Sequence, residues 1–285
     1  MKPGIYYNMS REEYDAIEAL NPSTVKFALH SMSDCRAVIE DQDGLNESDN
    51  MELGSAIDVA TLTPDRFKTE YAFYDGTRRG KDYDAFCAAN PNTTILKQSD
   101  YRTALYVASV IKSHSIAGPM LQCGNAQTCV VWVDRVTGQL CKGMIDYLTD
   151  TAIIDLKSYG GWMWGIDARS KQARELNYHV SMGAYQDAIR TITGKTLPVY
   201  LIYGQTKSQM RSGRLRAGVA QFQTAELEAG LKSFREGIEK IIKAKDSGDW
   251  LDSSDKYIEQ IVYPEWFHIG SGDVELTLNG EQVSV

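Results

Sequence analysis

The chain has 285 residues, of which 43 % are hydrophobic and 24 % charged, with a formal net charge of −8 and a pI near 5.1. That length supports one substantial core and is short for two full domains. The acidic balance excludes a uniformly basic nucleic-acid binder but leaves room for a local basic channel. No apolar run approaches the ~20 residues of a membrane span. The opening "MKPGIYYNMSREEYD" lacks the apolar stretch and cleavage site of a signal peptide, which predicts a cytoplasmic protein. Cys35, Cys87, Cys123, Cys129 and Cys141 are odd in number and form no CxxC pair, so free thiols are expected.

In chain order, "SREEYDAIEAL" (10–20) opens with a capping box, Ser10 with Glu13, and predicts a helix. A second helix is expected from Asn21, with Pro22 in its first turn. Residues 36–52 read as polar and irregular, and 53–64 as a short helix stopped by Pro64. "YDGTRRGKD" (74–82) reads as a basic loop, and 99–115 has helical periodicity. The pattern then changes. Residues 128–134, 139–148 and 152–158 are β-rich and separated by turns, an antiparallel meander. A helix over about 170–193, an apolar strand at 197–205 and an amphipathic helix at 225–246 follow. Leu227, Leu231, Phe234, Ile238 and Ile242 share one face of that last helix. The tail beyond Trp266 is polar, and disorder is expected at its end. The expected fold is α/β, a mixed β-sheet flanked by helices with an N-terminal helical portion. One domain should cover 1–270, mainly helical over 1–120 and carrying the sheet over 121–270, with a tail at 271–285.

Charge inside "AIIDLKS" carries the chemistry. Alternation along a strand puts Asp155 and Lys157 on one face while Leu156 points into the core. If Asp146 on the preceding strand faces the same way, two carboxylates and an ammonium converge. Paired carboxylates hold a hard divalent cation through oxygen. Such an ion activates water and polarises a phosphodiester, and a lysine can orient the water or offset developing charge. A DxK pair on a strand also serves as a plain ion pair; Asp146 upstream favours the catalytic reading.

This arrangement resembles the PD-(D/E)xK nuclease superfamily and, more narrowly, the RecE-type exonucleases (exodeoxyribonuclease VIII) of phages and prophages. "GIYYNMSREEYDAIEALNPSTVKF", "LGSAIDVATLTPDRF", "CKGMIDYLTDTAIIDLKS", "NYHVSMGAYQDAI" and "YPEW" (263–266) follow that family's motifs in order over roughly 3–268. The resemblance implies a 5′→3′ exonuclease on linear double-stranded DNA ends, acting in recombination. Asp58, Asp146, Asp155 and the Leu156 carbonyl would hold Mg²⁺ (or Mn²⁺), and Lys157 would position water. It also implies a ring-like homo-oligomer with a single-strand-annealing recombinase partner, in a host cytoplasm if phage-encoded. Iron–sulfur relatives carry three cysteines after the catalytic strands, whereas all five here precede Asp155, so no cluster is expected.

Four positions depart from the family pattern. Asp58 replaces a metal-binding histidine, Gln127 an acidic residue, Met144 an arginine and Ser181 a glutamine, while Tyr185 is retained. These changes motivate the alternative of a catalytically silent member that binds DNA ends or a protein partner. A site-specific endonuclease of the same superfamily is a third reading. His179 is expected near phosphate or metal-bound water, or as a satisfied helix histidine. Arg78, Arg79 and Lys81 suit phosphate contacts or a solvated loop, and Ser23 with Lys26 a terminal phosphate at a helix N-terminus. Trp162 and Trp164 are expected to stack on or wedge a DNA end, or to pack on the core.

Overall fold

The computed structural model describes residues 1–40, 48–208 and 210–258, together with 276–278 and 281–283. A short strand β1 (Gly4–Tyr6) leads to α1 (Arg11–Asp15). The capping box forms as expected, with Glu13 N donating to Ser10 Oγ at 3.1 Å and Ser10 N to Glu13 Oε2 at 2.8 Å. The helix, however, ends at Asp15 rather than Leu20. Leu20 is drawn instead onto the sheet: its N–H donates to Leu140 O at 3.2 Å and its carbonyl accepts from Lys142 N at 2.8 Å. A backbone so engaged cannot close helical bonds.

Helix α2 (Pro22–His30) starts with proline at its first position. The expected irregular stretch 36–52 is corrected. Helix α3 (Met32–Ile39) is capped by Ser31, and α4 (Asp49–Leu62) starts four residues before the expected helix, capped by Ser48. Only Cys35 of α3 is buried, so side-chain caps rather than an apolar stripe specify it. Pro64 ends α4 and opens α5 (Pro64–Glu70). Then come β2 (Tyr71–Phe73), α6 (Lys81–Ala89), β3 (Thr94–Leu96), α7 (Gln98–Ser113) and α8 (Ala117–Met120), with β2 and β3 forming a parallel pair.

Strands β4 (Gly124–Val133), β5 (Leu140–Thr149) and β6 (Ile153–Tyr159) form the expected meander. The single helix expected over 170–193 is two, α9 (Ile166–Glu175) and α10 (Tyr178–Thr193). Asn177, at φ +49°, breaks them, a left-handed conformation that asparagine tolerates. Strand β7 (Val199–Gln205) pairs parallel with β6, and β8 (Ala217–Gln221) antiparallel with β7. The sheet order is β1-β4-β5-β6-β7-β8. The edge strands β1 and β8 were not anticipated: one has three residues, and the other, "AGVAQ", offers weak alternation.

Both sheet faces are covered. On one lie α2, α10 and α11 (Thr224–Ser247), burying Trp132, Ile145, Ile153, Leu201, Phe234 and Ile238. On the other, α4 and α7 bury Ile57, Ile111, Ile154, Leu156 and Ile202. Helices α10 and α11 approach closely because Gly230 carries no side chain: a Cβ there would lie 2.0 Å from His179 O. Arg235 of α11 bonds Asp134 Oδ2 at 2.9 Å and Asp187 Oδ2 at 3.1 Å, pairing two carboxylates that are 0 % and 2 % exposed. All five cysteines are free thiols. No helix among the described residues is long and apolar enough to cross a membrane.

These elements form one unit, Met1–Trp250. A second unit, Leu251–Val285, contains the one-turn helix α12 (Ser253–Lys256) and the antiparallel pair β9 (Leu276–Leu278) and β10 (Glu281–Val283). The "YPEW" motif and the expected 270/271 boundary lie outside the described residues.

Candidate active site

The site sits where two strands part. Strands β5 and β6 pair only through Tyr147–Ile154 and Leu148–Ile153. The next opposed residues are Asp146 and Asp155, and there the ladder stops. Asp146 Oδ2 takes over part of its role, accepting from Leu156 N at 2.8 Å. The carboxylate thus satisfies a buried backbone donor that the splayed strands leave without a ladder partner.

Strand alternation places the charged residues as expected. Leu156 is buried in the α4–α7 core, while Asp155 and Lys157 form an ion pair on the opposite side. Asp58 reaches the cluster from the third turn of α4. Burial, then Asp146, pushes its carboxyl well above the usual range, partly offset by Lys157. Burial and Asp155 push Asp146 up to about 7. Burial alone would lower Lys157, but Asp155 and Asp146 outweigh it and hold the ammonium above the usual lysine range. Three carboxylates therefore face one close ammonium in a half-buried setting.

A second cation stands behind it. Lys26 is brought down to about 8 by burial and by Lys157. Both approach the Tyr178 ring, Lys157 Nζ at 5.0 Å and Lys26 Nζ at 5.9 Å from its centroid. Tyr178 was missed in the sequence; the signal available was its place at the Asn177 break, first in α10. Burial and Lys26 lower the neighbouring His179. The Tyr185 hydroxyl is raised by burial, Tyr14 and Asp155, and its ring packs where a Cβ on Gly143 would meet Cε1 at 2.4 Å.

Other expected residues lie apart from the cluster. Gln127 stands opposite Asp146 in the β4–β5 register, but its backbone is left-handed at φ +47° and its amide oxygen accepts from Arg66 of α5. Met144 packs with Tyr14 and Ile17, and Ser181 is buried inside α10. Ser23 is exposed one turn before Lys26. Arg78 approaches Tyr83 and the acidic start of α4; Arg79 is exposed, and Lys81 begins α6. Trp164 packs edge-on to Tyr159 at 5.8 Å, whereas Trp162 is 64 % exposed.

The donor set fits a hard divalent cation: carboxylate oxygens in excess of ammonium groups, with two of the three acids raised by burial and mutual repulsion. Among the described residues, no three His, Cys, Asp or Glu side chains are grouped closely enough to hold an ion as they stand.

The chain belongs to the family described as PDDEXK-like domain of unknown function (DUF3799), whose model matches residues 23–259. Its fold is that of the PD-(D/E)xK nucleases, as the motifs around Asp146 and Asp155 implied. A search of the curated proteins finds no match. Among solved structures it is similar to a protein from Eubacterium rectale provisionally named an exonuclease, with TM-score 0.62 and 14 % identity over 93 % of this chain and 100 % of that one. Looser matches are LHK-Exo in complex with dAMP (TM-score 0.34, 8 % identity, 84 % of this chain and 98 % of that one) and the alkaline exonuclease LHK-Exo from Laribacter hongkongensis (0.26, 11 %, 84 % and 100 %). At these identities the likeness is one of fold, and only the first superposes closely enough to support it.

Proposed function

We propose that this chain is a divalent-metal-dependent exonuclease acting on the ends of linear double-stranded DNA. The observation that carries the reading is the convergence of Asp58, Asp146, Asp155 and Lys157 where β5 and β6 part. Asp58, Asp146, Asp155 and the Leu156 carbonyl would hold Mg²⁺ or Mn²⁺, which supplies Lewis acidity toward a phosphodiester and a water. Lys157 stays protonated, so its Nζ donates to the attacking water or to the developing phosphate charge. Lys26 lies beside Lys157, and His179 beside Lys26, and both suit contacts to the neighbouring phosphate. The 5′→3′ polarity, the recombination role, the ring-like homo-oligomer, the annealing partner and the cytoplasmic location come from the RecE-type resemblance.

The test is degradation of linear, nicked and covalently closed duplex DNA with Mg²⁺ or Mn²⁺, with Lys157→Ala as the control. Loss of linear DNA with closed circles intact supports the exonuclease, and cutting of closed circles would instead make it an endonuclease. The ion pair that occupies Asp155, with Gln127 held by Arg66, favours a second reading: a silent member that binds ends without cutting. End binding with no degradation in either metal would establish that reading.

A further inference from the structure

Immediately beyond the carboxylate site, two loops at the C-terminal ends of β6 and β7 enclose a groove. The first, residues 160–165, turns Trp164 inward onto Tyr159 and holds Trp162 and Met163 outward. Tyr159 Oη donates to Met163 O at 2.6 Å and pins the backbone, yet Trp162 is 64 % and Met163 73 % exposed. The second, described over residues 206–208 and 210–216, carries Lys207, Arg211, Arg214 and Arg216, and the sequence from 206 to 216 has no carboxylate. It is anchored by buried Leu215 and by Gln205 N donating to Arg216 O at 2.8 Å. All four cations are exposed, and none has an ion-pair partner among the described residues. Behind Trp164, the Arg169 guanidinium stacks at 4.8 Å and leaves Nε and Nη1 without an acceptor. A large indole held in water beside uncompensated guanidinium groups is the composition of a site that stacks bases and takes phosphates. On an otherwise acidic protein, this concentration of positive charge is local.

Position gives the patch its meaning. Tyr159, which pins the first loop, lies four residues past Asp155, roughly 13 Å along the strand. The groove therefore stands a short run of nucleotides from the carboxylates. We propose that this groove binds single-stranded nucleic acid, with Arg214 and Arg216, which line it, and Arg211, exposed on the same loop, on the phosphates and Trp162 stacked on an unpaired base. A duplex end would have to be opened to supply that base. An acidic peptide would engage the arginines but has no flat base to cover the indole. The binding stands on the groove itself; that the bound strand leads into the carboxylates rests on the nuclease reading.

The test is anisotropy of a fluorescein-labelled ten-nucleotide dT strand, titrated with the full chain in EDTA at several salt concentrations. Trp162→Ala should weaken binding about tenfold or more, with Trp162→Phe restoring most of it. The triple change Arg211→Gln, Arg214→Gln, Arg216→Gln should lower the salt slope by about 2, near 0.7 for each phosphate no longer neutralised. Circular dichroism establishes that each variant is folded. Unchanged dT binding in folded Trp162→Ala or in the triple variant overturns the proposal. So does a ten-residue polyglutamate peptide that competes as well as unlabelled dT, which would assign the groove to an acidic protein segment. Because cleavage is absent in EDTA, the two readings fail separately. Strand binding without metal-dependent degradation leaves the groove standing, and degradation with binding indifferent to both variants removes only the groove.

Discussion

Replacing Asp146 with asparagine should make the protein more stable and less active. The folded site raises this carboxyl from 3.8 to about 7, chiefly by burial and by Asp155. A rise of that size corresponds to at most ~4 kcal/mol of strain on the charged form. Asp146 is partly exposed, and asparagine keeps an oxygen for Leu156 N–H, so the recoverable part is ~1–2 kcal/mol. The sign follows from proton linkage. Between pH 3.8 and about 7 the folded chain holds a proton that the unfolded chain has released, so wild-type stability falls as pH rises through that window. Above it the full cost is present, and below about pH 4 it vanishes. Thermal melts in EDTA should therefore show Asp146→Asn higher by about 2–8 °C at pH 8 and level with wild type near pH 4. Added Mn²⁺ should reverse the order by stabilising the wild type more, since a ligand stabilises only the state that binds it. A variant that melts lower than wild type at pH 8 in EDTA, or one that degrades DNA at full rate, would refute this account of the cluster.

Further expectations concern other parts of the same frame. Lys157→Ala should abolish degradation while retaining the fold; its loss also leaves Asp155 without its ion-pair partner, so thermal stability should drop modestly, readable by calorimetry. Arg235→Leu leaves buried Asp134 without its cation and Asp187 with Arg190 alone, and should cost about 3–5 kcal/mol in urea unfolding. Asp134 itself is held below its usual value, because its bonds from Thr137 and Arg235 outweigh burial. It therefore adds stability at neutral pH that is lost on acidification below about pH 4, and the acid transition should be blunted in that variant. Gly143→Ala forces a methyl against the Tyr185 ring beside the carboxylates, and should cost ~1–3 kcal/mol and reduce activity together.

Much of the site was legible in the sequence because strands impose a period of two. Alternation alone assigned Asp155 and Lys157 to one face and Leu156 to the other, whereas the facing of Asp146 stayed conditional until the β5–β6 register set it opposite Asp155. Capping residues likewise announced α1 and α2. Asp58 could be reached only through the motif resemblance, since nothing local marks an aspartate in an apolar helix as part of a site whose other members lie 88 to 99 residues further on. Helix α3 and the edge strands β1 and β8 were not legible, because each is too short or too weakly apolar to show a period.

What the sequence determined by itself was the local conformation and the chemistry of each strand, since those follow from neighbouring residues. Tertiary structure alone decided the splaying of β5 from β6, which turns Asp146 into the partner of Leu156 N–H, and the approach of Lys26 and Lys157 to the Tyr178 ring. It also decided that Gln127 answers to Arg66 instead of the carboxylates, and that the β7–β8 loop stands beside Trp162. Each of these joins residues far apart in the chain, and each depends on how covered sheet faces and closely packed helices distribute space and charge, which no local pattern encodes.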